Sequence, residues 1–65
     1  MELLLNGEPR QTLASDLAAL LTELGCVEDA VATAVNGRFV ARAERSALRL
    51  ASHDRVEILA PMQGG

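Results

Sequence analysis

Apolar and polar residues recur along this chain with spacings that mark out a series of short elements. Residues 2–6 (Glu-Leu-Leu-Leu-Asn) form an apolar run that ends at Asn6-Gly7. An Asn-Gly pair signals a two-residue hairpin, because both central positions of the tight turn need positive φ. Residues 8–13 are therefore predicted to return as a second strand. Pro9 has no N–H to give to a ladder, which places this strand at a sheet edge. Leu17, Leu20, Leu21 and Leu24 then recur at i, i+3, i+4 and i+7, the apolar stripe of a helix that packs on a sheet. Ser15 is placed to cap its N-terminus and Asp16 to sit in its first turn against the helix dipole. Gly25 can close the helix in a left-handed conformation.

Beyond the helix, residues 30–35 (Ala-Val-Ala-Thr-Ala-Val) read as a strand, and a second pair, Asn36-Gly37, turns the chain into residues 38–41. Residues 43–50 are helix-friendly but lack a clean period, so a short turn of helix and loop is predicted there. Asp54 supports a turn before the last strand, residues 55–60, in which Val56 and Ile58 alternate with Arg55 and Glu57. If Leu3, Leu5, Val56 and Ile58 face the helix, Leu4 and Leu59 point to the other side of the sheet. The pattern stops at Pro61, so residues 60–65, ending in Met62-Gln63-Gly64-Gly65, are predicted to be a flexible tail. The order strand, strand, helix, strand, strand, strand makes an α+β domain spanning residues 1–65. Its economical form is one sheet of four or five strands covered on one face by the helix.

Composition narrows what such a domain can do. The chain has 65 residues, 49% of them apolar, with Phe39 the sole aromatic. This is enough for a compact core and too much for intrinsic disorder. A chain this short buries only about 60% of the surface its unfolded form exposes. A deep catalytic pocket is hard to sustain in so small a core, so the expectation is a module, not an enzyme, that acts while docked on something larger. The net charge of −3 is unevenly spread, since residues 1–30 hold six acids and one base and residues 31–65 three acids and five bases. All six bases are Arg, and the overall balance argues against nucleic acid as a partner. A single cysteine makes no internal disulfide, Leu3-Leu4-Leu5 is far shorter than a signal-peptide core, and no run approaches membrane-spanning length. The expected setting is the reducing cytoplasm, with no membrane partner.

The feature that carries chemistry is the end of the chain. A Gly-Gly terminus arises by chance in about one chain in 200, so alone it is suggestive only. Its physical merit is that glycine has no Cβ, so Gly64 and Gly65 can enter a channel too narrow for any side chain. Such a channel can present the terminal carboxylate to ATP. Once joined to AMP as a mixed anhydride, that carboxylate is open to attack by sulfur.

Several pieces of the sequence together strengthen this reading. They are Val31-Ala-Thr-Ala-Val-Asn36-Gly37, the Val40…Arg42 continuation, Asp54-Arg-Val-Glu-Ile58 and the terminal Gln63-Gly64-Gly65. In these the chain resembles the ThiS-type sulfur carriers of thiamin biosynthesis, a ubiquitin-like β-grasp family, over nearly its whole length. The resemblance implies a β-grasp fold with a mixed sheet. It implies that an ATP-dependent activating enzyme adenylates Gly65, with Gln63 and Gly64 as the tail that delivers it. Sulfur from cysteine, supplied as a persulfide by a source such as a cysteine desulfurase, then yields a thiocarboxylate that thiazole synthase uses. The carrier itself would hold no cofactor, the ATP being used by its partner. Two positions depart from the family's pattern. His53-Asp54 stands where Gly-Asp is usual, and Arg45 where a Trp is common, which leaves the packing of that segment open.

The remaining candidates are weighed against simpler readings. Cys26 could hold a persulfide, but it directly follows the helix end, where the dipole disfavours a thiolate, and reads more simply as a small buried hydrophobe. His53 has no metal-ligand spacing around it and reads as a loop residue, so no metal site is expected. Leu4, Phe39, Leu59 and Met62 are either scattered exposed apolar residues or a docking patch for the partner enzymes. Alternatives to the thiamin carrier are the small subunit of a molybdopterin synthase, with the same tail chemistry, and a ubiquitin-like protein modifier.

Overall fold

The computed structural model describes residues 1–60. The first strand, β1 (Glu2–Leu5), turns at Asn6-Gly7 into β2 (Glu8–Gln11), and the helix α1 spans Leu17–Leu24. A 3₁₀ turn (Glu28–Ala30) leads into β3 (Ala32–Val35), which turns at Asn36-Gly37 into β4 (Arg38–Val40). A 3₁₀ segment (Arg42–Ala47) and an extended stretch then lead to β5 (Arg55–Leu59). Both Asn-Gly pairs adopt positive φ, with 51° and 84° in the first and 52° and 82° in the second, as two-residue hairpins demand.

The five strands form one mixed sheet in the order β2-β1-β5-β3-β4. β5 is the last strand in sequence and the central one in space. It runs parallel to β1 and antiparallel to β3, while both hairpins are antiparallel. β2, the strand that carries Pro9, lies at an edge, where a missing N–H is harmless. One face of the sheet receives α1. Leu17 and Leu20 are wholly buried there with Leu3 and Val56, Val35, Val40 and Leu50 complete the core, and Leu21 beside them on the helix is wholly buried too. Leu24, Leu5 and Ile58 pack on the rim of this core. Each fully buried Leu or Val contributes on the order of 1.5–3 kcal/mol. The leucine stripe is thus what holds the helix to the sheet.

Three local expectations are corrected. Asp16, not Ser15, is the N-cap: its extended backbone leaves the carboxylate free to accept from Ala19 N–H at 2.7 Å. The shift follows from packing, because Leu50 N–H donates to Ser15 O and Leu17 N–H to Leu48 O, which ties residues 15–17 to the stretch before β5. The strands are shorter than predicted, β2 ending at Gln11, where the chain turns towards α1. Similarly, β3 starts at Ala32 instead of residue 30, since residues 28–30 form the 3₁₀ turn. Gly25 closes α1 as expected, with φ of 73° and Cys26 N–H bonded to Leu21 O in a Schellman arrangement.

The stretch with no period contains the least expected core residue. Arg45, in the 3₁₀ segment, is only 3% exposed. Its guanidinium donates from Nη1 to Glu28 O (2.8 Å), from Nη2 to Val31 O (2.8 Å) and from Nε to Thr33 Oγ1 (3.1 Å). The side chain thereby engages carbonyls of the connection between α1 and β3, and this is where the predicted extension of β3 gives way.

Candidate functional site

β5 carries the chain to its C-terminus, so its two ends and its outer face define the site. At its start, Asn36 N–H donates to Arg55 O (2.7 Å) and Asn36 Oδ1 accepts from Arg55 N–H (2.9 Å). Asn36 Nδ2 reaches Asp54 Oδ1 (3.0 Å), while Asp54 Oδ2 accepts from Ala51 N–H (2.8 Å). Asp54 therefore supports the turn before β5, as the sequence indicated. His53, beside it, has φ of 72°, the left-handed conformation that a glycine adopts without strain. At the other end of β5, Asn6 Oδ1 accepts from Ile58 N–H (2.9 Å) and Asn6 Nδ2 donates to Ile58 O (3.2 Å). The two Asn-Gly turns thus grip the central strand at its opposite ends. Hydrophobic periodicity gives no hint of this, since it marks each Asn only as a turn residue.

The sheet face opposite α1 has no covering element among the described residues. Alternation along the strands puts Leu4, Arg55, Glu57, Leu59, Ala32, Ala34 and Phe39 on it. Phe39 is 72% exposed and Leu59 63%, whereas Leu4 is half-buried. Register orders them further. Phe39 sits opposite Ala34, Ala34 opposite Glu57, and Leu59 opposite Ala32. Phe39 and Leu59 are therefore separated by one strand of small alanines, with Cα atoms roughly 12 Å apart by standard sheet spacings. Leu4 pairs with Arg55, about 13 Å along the sheet from Leu59, and two charged residues of β5 lie between them. The structure brings Phe39 and Leu59 together across an alanine floor and sets Leu4 apart. Met62, Gln63, Gly64 and Gly65 lie outside the described residues.

Other groups are remote from this face or engaged in holding the fold. Glu23 of α1 accepts from Thr12 Oγ1 (2.8 and 2.9 Å) and from Leu13 N–H (3.2 Å), with Arg10 at 3.9 Å. The Thr12 hydroxyl, helped by the Leu13 amide and Arg10, holds the Glu23 carboxyl below its ordinary range despite some desolvation. Cys26 is half-buried just past the end of α1. Among the described residues, no group of three or more His, Cys, Asp or Glu side chains is placed to hold a metal ion. No helix among them is long and apolar enough to cross a membrane. An open hollow of about 560 Å³, lined by Val35, Asn36, Arg38, Leu48 and Asp54 among others and reached by Phe39 of the uncovered face, lies at the Asn36 end of the sheet. That is the end of β5 farther from Leu59.

The whole arrangement has close structural counterparts. A crystal structure of a thiamine biosynthesis protein (ThiS) from Geobacter metallireducens superposes with a TM-score of 0.85 at 29% identity, covering all of both chains. An NMR solution structure of a thiamine biosynthesis protein from the same organism gives 0.82 at 29% identity, over all of this chain and 88% of that one. No curated protein sequence gives a significant match. The ThiS family matches residues 3–65, which takes in every strand but for Glu2 of β1, the helix and the Gly64-Gly65 end. With the mixed five-stranded sheet, the single main helix and a match of this extent, the chain belongs to the ThiS family.

Proposed function

We propose that this protein is a sulfur carrier of thiamin biosynthesis and that Gly65 is the residue that carries the sulfur. The observation that supports this most directly is the family match, which extends through the terminal glycines. The Gly65 carboxylate attacks ATP bound to an activating enzyme, giving an acyl adenylate and pyrophosphate. The terminal sulfur of a cysteine-derived persulfide, supplied by a desulfurase, displaces AMP. Cleavage of the resulting S–S bond by a thiol leaves the thiocarboxylate, whose sulfur passes to thiazole synthase. The chain needs no cofactor of its own in this scheme and contributes no catalytic group. Its part is to present a side-chain-free end, with Gln63 and Gly64 leading into the partner's channel.

Docking on the partners falls to the uncovered sheet face. Leu59 and Phe39 flank an alanine floor there, with Arg55 and Glu57 of the central strand beside it, and such a mix of exposed apolar and charged residues suits a partner surface. Leu4, set apart on the same face, and Met62, outside the described residues, complete the docking proposal. The cytoplasm, where thiols stay reduced, is the compartment that fits this chemistry.

Intact mass after incubation with a cognate activating enzyme, ATP and a sulfur source tests the reading. The expected change is one oxygen-to-sulfur exchange at the C-terminus, absent from a variant that lacks Gly65. Covalent conjugates with other proteins would identify a modifier instead. Sulfur transfer to a molybdopterin-synthase large subunit in place of thiazole synthase would move the carrier to the other pathway. An unchanged mass, with function indifferent to the loss of Gly65, would overturn the proposal.

A further inference from the structure

β5 outruns its neighbour. β1 pairs Leu4 with Arg55 and Leu5 with Val56 and then ends, whereas β5 continues to Leu59. The groups of β5 that face β1 belong to every second residue: Asp54 O accepts from Leu4 N–H (2.9 Å) and Val56 O from Asn6 N–H (2.8 Å). The next in line are the N–H and C=O of Ile58. Left to water, they would allow the end of the strand to fray. The Asn6 side chain takes both, Oδ1 from the N–H and Nδ2 to the C=O, across 52 positions of sequence. Its amide thus stands in for one further residue of β1.

We infer that Asn6 is a positioning residue for partner docking: by holding Ile58 it keeps Leu59, at the end of β5, fixed before a partner arrives. This rests on the sulfur-carrier reading, in which Leu59 is a docking contact. Ordering a backbone residue at the moment of binding weakens association, and a strand end already fixed avoids that loss. Asn6 is suited to both of its tasks, because Asn tolerates the positive φ of the turn and carries an amide long enough to span to β5.

Asn6→Gly separates these tasks, since glycine keeps the turn and removes the amide. Amide exchange at Ile58 is expected to accelerate about tenfold, with Leu5 and Glu8 of the hairpin unaffected. In sulfur loading by the activating enzyme, KM should rise roughly tenfold while kcat stays within about twofold. Asn6→Asp keeps the acceptor for Ile58 N–H but cannot donate to its carbonyl, and should fall between the two. A loss of thermal stability with KM unchanged, measured where both variants are folded, would overturn the role of Asn6 alone. Failure of the wild-type chain to accept sulfur would remove the carrier reading, and this role with it.

Discussion

Arg45 Nε donates to Thr33 Oγ1 at 3.1 Å, and that same hydroxyl donates to Val40 O at 2.8 Å. A cation from the segment after β4 is thus wired into the β3–β4 ladder from the buried side. Among the described residues it has no carboxylate partner; its other bonds go to the carbonyls of Glu28 and Val31. A planar guanidinium donates from three separate nitrogens to three spaced acceptors, whereas the three donors of a Lys ammonium radiate from one nitrogen and an apolar residue has none. This is how the stretch without a hydrophobic period packs. The side chain is buried, and its guanidinium organises the connection between α1 and β3.

Arg45→Ala should therefore lower stability by about 2–4 kcal/mol in urea unfolding, because two carbonyls and a hydroxyl lose their buried partner. Arg45→Lys should recover only part of this, since one ammonium cannot reach all three acceptors. Equal stability of the Lys variant and the wild type would show that the fork geometry is immaterial.

His53→Gly should stabilise the fold by about 0.5–1 kcal/mol. The left-handed backbone at φ of 72° strains a residue with a Cβ by more than the extra unfolded-state freedom of glycine takes back. A rise in Tm checks this, and a fall would show that the His53 side chain contributes something the backbone argument omits.

Glu23 gives the fold an acid-sensitive contact. Its carboxyl titrates below the ordinary 4.5 in the folded chain, chiefly through the Thr12 hydroxyl bond. The unfolded state therefore binds the proton first as pH falls. The stabilisation is complete above the ordinary value and is lost as pH drops through the lowered folded one. Glu23→Gln should flatten the stability profile on the acid side of pH 5, and an unaltered profile would remove Glu23 from the account.

Leu59→Asp tests the docking face without touching the core. Leu59 is 63% exposed, so its effect on stability should stay within about 0.5 kcal/mol. Binding to the activating enzyme and to thiazole synthase should each weaken at least about tenfold, by loss of apolar contact and burial of a charge. Undiminished binding by calorimetry would take Leu59 out of the interface.

Local chemistry made much of this legible beforehand. Two Asn-Gly pairs located both hairpins, the spacing of Leu17, Leu20, Leu21 and Leu24 located the helix and its buried face, and Pro9 located an edge. Each signal acts within a few residues, through φ preferences or side-chain period. The motif pieces from Val31 to Gly65 likewise carried the resemblance to the family that the match over residues 3–65 bears out. The missed features were all long-range. Asp16 displaced Ser15 as cap because residues 48–50 bind the chain just before the helix. The predicted start of β3 at residue 30 gave way beside the buried guanidinium of Arg45.

By itself, then, the sequence determined the inventory of elements, the faces they bury and the Gly64-Gly65 end. All of these follow from conformational preferences and apolar periodicity that operate along the chain. Only the tertiary structure decided that the last strand becomes the centre of the sheet, gripped by Asn36 at its start and Asn6 at its end. It also decided that Phe39 and Leu59 share an alanine floor from which Leu4 is set apart. Those outcomes depend on which backbone groups lack a partner once the sheet has closed, and a side chain 52 residues away can supply one only in three dimensions.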